Sequence, residues 1–363
     1  MAEIGAPHAG GASVDGVIVR TERAVGRLTL DRPRAINALD IGMVRRLRTA
    51  LETWRGAVDV DTVVLDGAGE RGFCAGGDVR SLVERIRAGE PDETLPFFRE
   101  EYALNAAIAE YPVPVVAIAD GVTMGGGIGL AGHAAIRVVT ERSRLAMPET
   151  RIGFTPDVGG SLLLARAPGR LGEYLALTGD HMDAADAIHA GFADQLVPAE
   201  RIDDFREALA SRADPTGPAE IVLLFDETPG TSRLQVARVW IDDAFAAPTV
   251  PEILARLDAR SEADAATAAA TIRSLSPTAV TVALEAVRRA RRLPGLRAAL
   301  AQEYALVDWF VHTQPDLVEG VRAQLIDKDR APKWRPGALD ALPDDLVERA
   351  FAHVPAEPLW EDR

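Results

Sequence analysis

Two glycine-rich segments decide how this chain folds: Phe73-Cys74-Ala75-Gly76-Gly77-Asp78 and Met124-Gly125-Gly126-Gly127-Ile128-Gly129. Each follows a short apolar run typical of a buried strand, at 62–65 and at 113–119. Each also precedes a stretch with the apolar spacing of a helix. Because strands that alternate with helices pair in parallel, the two segments predict an α/β fold.

The rest of the chain extends this pattern and then changes it. Apolar runs at 17–19 and 27–30 flank a polar turn and predict a hairpin. After about residue 197 the strand signals fade, and Ala- and Arg-rich helical patterns continue from 203 to 311. We therefore expect a disordered tail at 1–16, an α/β core at 17–200 and a helical region at 201–363, with no linker marking residue 200.

The composition excludes several classes of protein. With 40 basic and 55 acidic residues the formal net charge is −15, which argues against a nucleic-acid partner. No apolar run reaches the roughly 18 residues of a membrane span, so no membrane partner is expected. One cysteine, Cys74, excludes a disulfide scaffold and fits a reducing compartment. The N-terminal residues resemble neither a secretory nor a mitochondrial leader, and we expect a cytoplasmic protein.

Familiar catalytic motifs are absent from the sequence. It contains no GxSxG, GxxxxGK[ST], HExxH or CxxC pattern, and its six histidines are scattered. A metal site or a histidine-based triad is therefore not expected. Cys74 lacks an activating histidine nearby in the sequence, and we interpret it as a buried filler rather than a nucleophile.

The two glycine turns are candidates for an oxyanion hole. Glycine lets a backbone approach a ligand closely, and the start of a helix leaves N–H groups unpaired. Two such turns facing each other would aim two N–H donors at one oxygen. The alternative is that each turn only connects a strand to a helix.

Two acidic residues follow on a loop rich in proline and glycine. Glu149 and Asp157 lie within the segment 146–160 and could flank one reacting centre. One carboxylate could act as nucleophile or base while the other places a water molecule. The alternative is that both are ordinary surface acids.

The two glycine turns and the segment Met147-Pro148-Glu149, in this order, resemble the crotonase (enoyl-CoA hydratase/isomerase) superfamily. Within it the chain is most similar to the 3-hydroxyisobutyryl-CoA hydrolase branch, through Phe97–Tyr102 and the C-terminal segment 319–334 with its two lysines. The resemblance spans about residues 17–351. It implies the crotonase fold, in which ββα repeats form a spiral core, followed here by a helical C-terminal part.

The resemblance assigns roles to the glycine turns. It implies that Ala75 and Gly126 supply the oxyanion-hole N–H groups for a thioester oxygen. The neighbouring Gly76, Asp78 and Gly125 are expected to contact the substrate.

The resemblance also assigns roles outside the turns. Glu149 falls at the main catalytic carboxylate of the family, Asp157 at the second acid of the hydrolase branch, and Glu101 at a substrate-contacting glutamate. Arg34 replaces a lysine common in relatives and would meet the phosphate or adenine of CoA. Gly129 stands where hydratases carry a second glutamate, which favours attack on the carbonyl over hydration and frees space beside the thioester.

The implied activity is hydrolysis of 3-hydroxyisobutyryl-CoA to 3-hydroxyisobutyrate and CoA, a step of valine catabolism. No cofactor is expected, since CoA enters as part of the substrate. An enoyl-CoA hydratase or isomerase of the same fold and a non-catalytic acyl-CoA binder stay open as alternatives. Whether Glu149 is nucleophile or general base, and whether the chain forms a homo-oligomer, also stays open.

Overall fold

A central seven-stranded sheet organises the protein, whose computed structural model describes residues 12–211 and 217–361. The strand order is β1-β2-β3-β4-β5-β7-β9, and β6 pairs separately with β8. The strands are β1 Ser13–Val14, β2 Val17–Glu22, β3 Val25–Leu30, β4 Thr62–Gly67, β5 Val115–Ala119, β6 Val122–Met124, β7 Ile136–Val139, β8 Arg144–Ala146 and β9 Gln195–Leu196. β2 pairs antiparallel with β1 and with β3, and all other strand pairs are parallel.

Burial explains the strands of the parallel part. Every residue of β5 is buried, as is Thr62 to Asp66 of β4, and the two strands pair with Val63 opposite Val115. Strands covered on both faces favour apolar side chains on both faces, which is why residues 63–65 and all of β5 are continuously apolar rather than alternating. The expected hairpin is formed by β2 and β3.

Sixteen α-helices occur in the described part of the chain. They are α1 Ile41–Trp54, α2 Val79–Arg87, α3 Leu95–Ala109, α4 Gly126–Ala131, α5 Gly160–Arg166, α6 Leu171–Thr178, α7 Ala184–Ala190, α8 Ile202–Ser211, α9 Pro218–Leu223, α10 Arg233–Phe245, α11 Val250–Asp258, α12 Ala263–Ser274, α13 Pro277–Ala290, α14 Leu296–Thr313, α15 Asp316–Val321 and α16 Leu346–Ala352. After β9 only helices follow within the described residues.

The C-terminal helices pack back onto the α/β part. One cluster of buried apolar side chains extends from Val17 to Leu359 and includes residues of both parts. α14 packs on α3, and α15 packs on α2. The indole N–H of Trp334 donates a 2.9 Å hydrogen bond to the Ser274 carbonyl, which anchors the segment after α15. Because α2 begins directly after the first glycine turn, α15 lies near that turn.

Two further expectations concern the tail at residues 1–16 and the absence of a membrane span. Of the expected tail, residues 1–11 lie outside the described residues, whereas Ser13–Val14 pairs with β2. Among the helices of the described ranges, none combines the length and the hydrophobicity needed to cross a membrane.

Candidate active site

The two glycine turns meet at the small β6–β8 sheet. The Cys74 N–H donates to the Val122 carbonyl at 3.1 Å, and the Met124 N–H donates to the Cys74 carbonyl at 2.9 Å. The first turn therefore extends this sheet, and the second turn leaves it to begin α4. Strands of three residues are too short for a periodic signal, so the sequence did not predict this sheet.

A cavity of about 460 Å³ opens between the turns. Its walls are mainly apolar, with Phe97, Phe98 and Phe154 among them. Its polar side chains are Glu101, Glu149, Arg151, Asp157 and Gln324. The structure thus brings together the three acids that the sequence singled out, although they come from separate segments.

The backbone N–H groups of the turns differ in their availability. The Ala75 N–H donates to the Ile36 carbonyl at 2.9 Å, so the expectation that it forms half of an oxyanion hole does not agree with the structure. The N–H groups of Gly77 and Gly126 have no partner within the described residues, and both residues line the cavity. The Gly77 nitrogen lies 3.3 Å from the position that a Cβ on Gly126 would take, so these two residues adjoin.

Glu149 is placed by a short turn that follows β8. It begins the 3₁₀ turn Glu149–Ile152, which the Thr150 hydroxyl ties to the Ala176 carbonyl on α6 at 3.0 Å. Its Oε1 lies 2.9 Å from the position of a Cβ on Gly125, whose φ is +48°. Position 125 therefore requires glycine for both its conformation and the room it leaves to the carboxylate.

Asp157 and Glu101 reach the cavity from two other elements. Asp157 follows the Glu149 turn, and its Oδ2 accepts a 2.8 Å hydrogen bond from the Tyr102 hydroxyl. Glu101 lies on α3 with its Oε1 against Gly126. Within the described residues neither this oxygen nor Oε2 of Glu149 has a hydrogen-bond partner. Both oxygens are therefore free to contact a substrate or a water molecule.

Burial makes these carboxyl groups weaker acids than usual. It raises the pKa of Asp157 to about 7, although the Tyr102 hydrogen bond opposes the rise. Burial, together with the nearby Asp157, raises the pKa of Glu149 and that of Glu101 well above their usual values. Crowded buried carboxyl groups with such pKa values are typical of acid–base and nucleophilic sites.

The other expected contact residues divide into two groups. Gly76 and Gly125 line the cavity, and their contact with a substrate stays a prediction. Arg34 is exposed in the 3₁₀ turn Pro33–Ala35 and does not line it. Asp78 lies outside it as well and pairs with Arg32 at 3.5 Å. The structure thus does not bring Arg34 and Asp78 into the cavity.

The structure contradicts the expectation that Gly129 frees space beside the thioester. It does not line the cavity, and a Cβ there would lie 2.7 Å from the Val158 Cβ and 2.9 Å from Asn105 Nδ2. The position therefore frees no space beside a bound thioester. Instead, Val158 and Asn105 fill the room that a second glutamate would need.

Several residues of the site were not predicted from the sequence. Tyr102 stands next to Glu101 on α3, and the wall residues Gln324 and Leu325 belong to the C-terminal segment 319–334. Glu303 supports the Asp157 loop from α14. An acid in the middle of an apolar helix face was the available signal for Glu303.

The lone cysteine of the chain is neither a nucleophile nor part of a metal-binding group within the described residues. Cys74 is fully buried, and burial raises the pKa of its thiol to about 12, which favours the neutral form and a packing role. In the described portion of the chain no group of three or more His, Cys, Asp or Glu side chains is arranged to hold a metal ion.

Most of this chain matches one known protein family. The family described as Enoyl-CoA hydratase/isomerase matches residues 25–351, which is most of the chain. The chain belongs to the enoyl-CoA hydratase/isomerase family. The fold expected from the glycine turns is thereby confirmed, since solved structures that share it match nearly the whole chain.

Individual members of the enoyl-CoA hydratase/isomerase family differ in the activity that their names give. A protein of Danio rerio named 3-hydroxyisobutyryl-CoA hydrolase, mitochondrial, is 38% identical and covers 91% of this chain and 87% of its own length. The protein of that name from Rattus norvegicus is 36% identical and covers 94% of this chain and 90% of its own length. A solved structure named carnitinyl-CoA dehydratase, from Mycobacterium thermoresistibile, is 45% identical, with a TM-score of 0.89, 94% of this chain covered and 98% of that chain.

The names of these family members correct the expected location. Both hydrolases are called mitochondrial, which contradicts the expectation of a cytoplasmic protein. The single cysteine does not distinguish the two locations, because a lone buried thiol is compatible with any compartment that keeps thiols reduced.

Proposed function

We propose that this chain hydrolyses the thioester bond of short 3-hydroxyacyl-CoA molecules, with 3-hydroxyisobutyryl-CoA as the substrate and 3-hydroxyisobutyrate and CoA as products. The observation that carries the proposal is the meeting of three buried carboxyl groups and two unpaired N–H groups in one cavity. The hydrolase names of the relatives that cover most of this chain support it, and they imply a role in valine catabolism.

The unpaired N–H groups suit the oxygen of a thioester. In the proposal this oxygen accepts hydrogen bonds from the backbone N–H groups of Gly77 and Gly126. Gly77 thus takes the role that was expected of Ala75. Attack on the carbonyl carbon transfers negative charge to this oxygen. Donors already in place stabilise that charge, and one such donor lowers the barrier by about 3 kcal/mol.

Glu149 then attacks the carbonyl carbon or activates a water molecule. In the first route a carboxylate oxygen bonds to the carbon, the C–S bond breaks, and CoA leaves as a thiolate that takes up a proton. Water then cleaves the mixed anhydride and regenerates Glu149. In the second route Glu149 removes a proton from water as the water oxygen bonds to the carbon. The C–S bond then breaks, and the CoA thiolate takes up the proton held by Glu149. Both routes require the charged form of Glu149.

Asp157 and Glu101 supply the polar contacts for the rest of the substrate. We propose that they accept hydrogen bonds from the 3-hydroxyl group and from the hydrolytic water. An acyl chain without the hydroxyl would leave buried carboxylate oxygens unpaired in an apolar cavity. The site would therefore disfavour such a chain strongly.

A second candidate function is dehydration or hydration of the acyl chain. The name of the solved structure from Mycobacterium thermoresistibile favours it. The packing around Gly129 opposes it, because no second glutamate can be accommodated there. Both candidates act on CoA thioesters, and neither requires a cofactor apart from the CoA of the substrate. A non-catalytic acyl-CoA binder would need neither Glu149 nor Asp157.

Release of free thiol from a panel of thioesters tests the proposal. The panel contains 3-hydroxyisobutyryl-CoA, 3-hydroxypropionyl-CoA, isobutyryl-CoA and crotonyl-CoA. We expect fast release from the two hydroxylated thioesters alone. Loss of the crotonyl double-bond absorbance without thiol release would instead establish a hydratase. Binding measured by calorimetry, with no product of any kind over hours, would establish a binder.

A further inference from the structure

Glu303 is a buried acid that the proposed chemistry does not use directly. It lies on α14, its exposed fraction is 0%, and no cation pairs with it within the described residues. Its Oε2 accepts a 2.6 Å hydrogen bond from the Gly159 N–H. Its Oε1 accepts one from the Ser161 N–H at 2.9 Å and another from the Ser161 hydroxyl. A single carboxylate thus engages three donors of one turn.

This turn has a backbone that needs external support. Val158 has a φ of +53° and Gly159 a φ of +78°. A β-branched residue at positive φ is costly and persists only where its surroundings hold it. The second contact on the turn is a 2.8 Å hydrogen bond between His133 Nε2 and the Val158 carbonyl. The contacts of Glu303 and His133 therefore support this turn from outside, in addition to the 2.6 Å hydrogen bond within it from the Gly160 N–H to the Asp157 carbonyl.

Asp157 immediately precedes this turn and points into the cavity. The Tyr102 hydroxyl holds its side chain, and the turn holds its backbone. Tyr102 in turn packs against Tyr304, the neighbour of Glu303, with ring centroids 6.3 Å apart. Glu303 and Tyr304 thus connect α14 to both supports of Asp157.

We propose that Glu303 is a positioning residue: its carboxylate holds the 158–161 turn in the conformation that directs the Asp157 carboxylate into the cavity. This inference rests on the proposed function for the role of Asp157. Both carboxyl oxygens of Glu303 accept hydrogen bonds from the turn, whereas a glutamine at this position has only one acceptor oxygen. Burial raises its pKa to about 8, and the same three hydrogen bonds oppose that rise.

The substitution Glu303→Gln tests this role, since it places an amide N–H₂ group against one of the donors. We expect kcat for 3-hydroxyisobutyryl-CoA to fall by about 10- to 100-fold, as for a catalytic group displaced by about 1 Å, with KM changed less than about threefold. Ser161→Ala removes a single donor and should give a smaller loss of kcat. It serves as the second variant if Glu303→Gln does not fold.

A double-mutant comparison separates positioning from general support of the fold. In an Asp157→Asn background, Glu303→Gln should cost less than about twofold in kcat, because the group that it positions is already lost. Glu173→Gln is the matched control: it removes another fully buried carboxylate, one that pairs with Arg170 and Arg291 outside the cavity. It should lower the melting temperature and leave kcat unchanged. An equal loss from Glu303→Gln in both backgrounds would overturn the proposal.

Hydrogen exchange keeps this test independent of the proposed function. In Glu303→Gln the amides of Gly159 and Ser161 should exchange faster than in Glu173→Gln, whatever reaction the protein catalyses. Unchanged exchange at these amides would refute the support of the turn by Glu303. If the unmodified protein released no thiol while exchange rose as expected, the proposed function would fail and the turn support would stand.

Discussion

The Tyr102 hydroxyl donates a 2.8 Å hydrogen bond to Asp157 Oδ2, and both residues are buried. The bond joins α3 to the loop that carries the second acid of the site. A hydrogen bond to a carboxylate favours its charged form, so Tyr102 lowers the pKa of Asp157 against the effect of burial. This relationship sets the pH range in which Asp157 can accept a hydrogen bond from the substrate or from water.

Tyr102→Phe removes that donor and should shift the acidic limb of the pH–activity profile upward. We expect kcat/KM near pH 6.5 to fall about tenfold, because a hydrogen bond to a charged group contributes about 1.5–3 kcal/mol, with recovery near pH 9. The measurement is kcat/KM for 3-hydroxyisobutyryl-CoA across this range. Tyr111→Phe is the matched control, since its hydroxyl donates to the Leu51 carbonyl away from the cavity. A parallel loss at every pH would contradict the prediction.

Glu149→Gln should abolish turnover while substrate binding survives. The amide cannot attack the thioester or deprotonate water, so kcat should fall by roughly 10³-fold or more. Calorimetric binding of the intact thioester should change less than about threefold, since the side-chain volume is kept. Glu52→Gln, an exposed change on α1, should leave both quantities unchanged. A near-normal rate in Glu149→Gln would remove Glu149 from the mechanism.

Asp157→Asn should become more stable relative to the unmodified protein as the pH rises. The folded pKa of Asp157 is raised to about 7, so the stability due to its protonated form is complete below its unfolded pKa of about 4 and is lost as the pH rises through about 7. Asparagine does not ionise and escapes this loss, which is at most about 4 kcal/mol.

Thermal melts of both proteins between about pH 5 and pH 8 measure this effect. The difference in melting temperature, variant minus unmodified, should increase across this range. His133, whose pKa burial lowers to about 4, contributes the opposite trend but does so in both proteins. A constant difference would show that Asp157 is charged throughout the range.

Gly129→Ala should destabilise the protein and slow the reaction. Its Cβ would press on Val158 and Asn105, and overpacking of this kind costs about 1–3 kcal/mol. Because Val158 follows Asp157, we also expect a lower kcat. Gly230→Ala, where a Cβ would meet nothing within 4 Å, is the control for the melting temperature. Gly129→Glu should not confer hydration of crotonyl-CoA, and a gain of that activity would contradict the packing at this position.

The fold could be predicted largely from local signals. The apolar runs of β4 and β5, the helical spacing of α1 and the loss of strand signals after residue 197 each depend on neighbours in the chain. The β6–β8 sheet could not be predicted, because its strands of three residues exist only through their pairing with each other and with the Cys74 turn. Glu101, Glu149 and Asp157 were predicted as site residues from the family resemblance, and the structure brings them to one cavity.

The sequence by itself determined the order of the elements, because glycine turns and apolar periodicity act over a few residues, and its resemblance to known proteins predicted the family and the three acids. Only the tertiary structure decided which N–H groups are unpaired, since the partner of the Ala75 N–H is the Ile36 carbonyl, 39 residues earlier in the chain. The tertiary structure also closed the space at Gly129 and brought Glu303 to the Asp157 loop. Hydrogen bonding and burial depend on distant segments that meet only in the folded protein, and these two properties set the chemistry of the site.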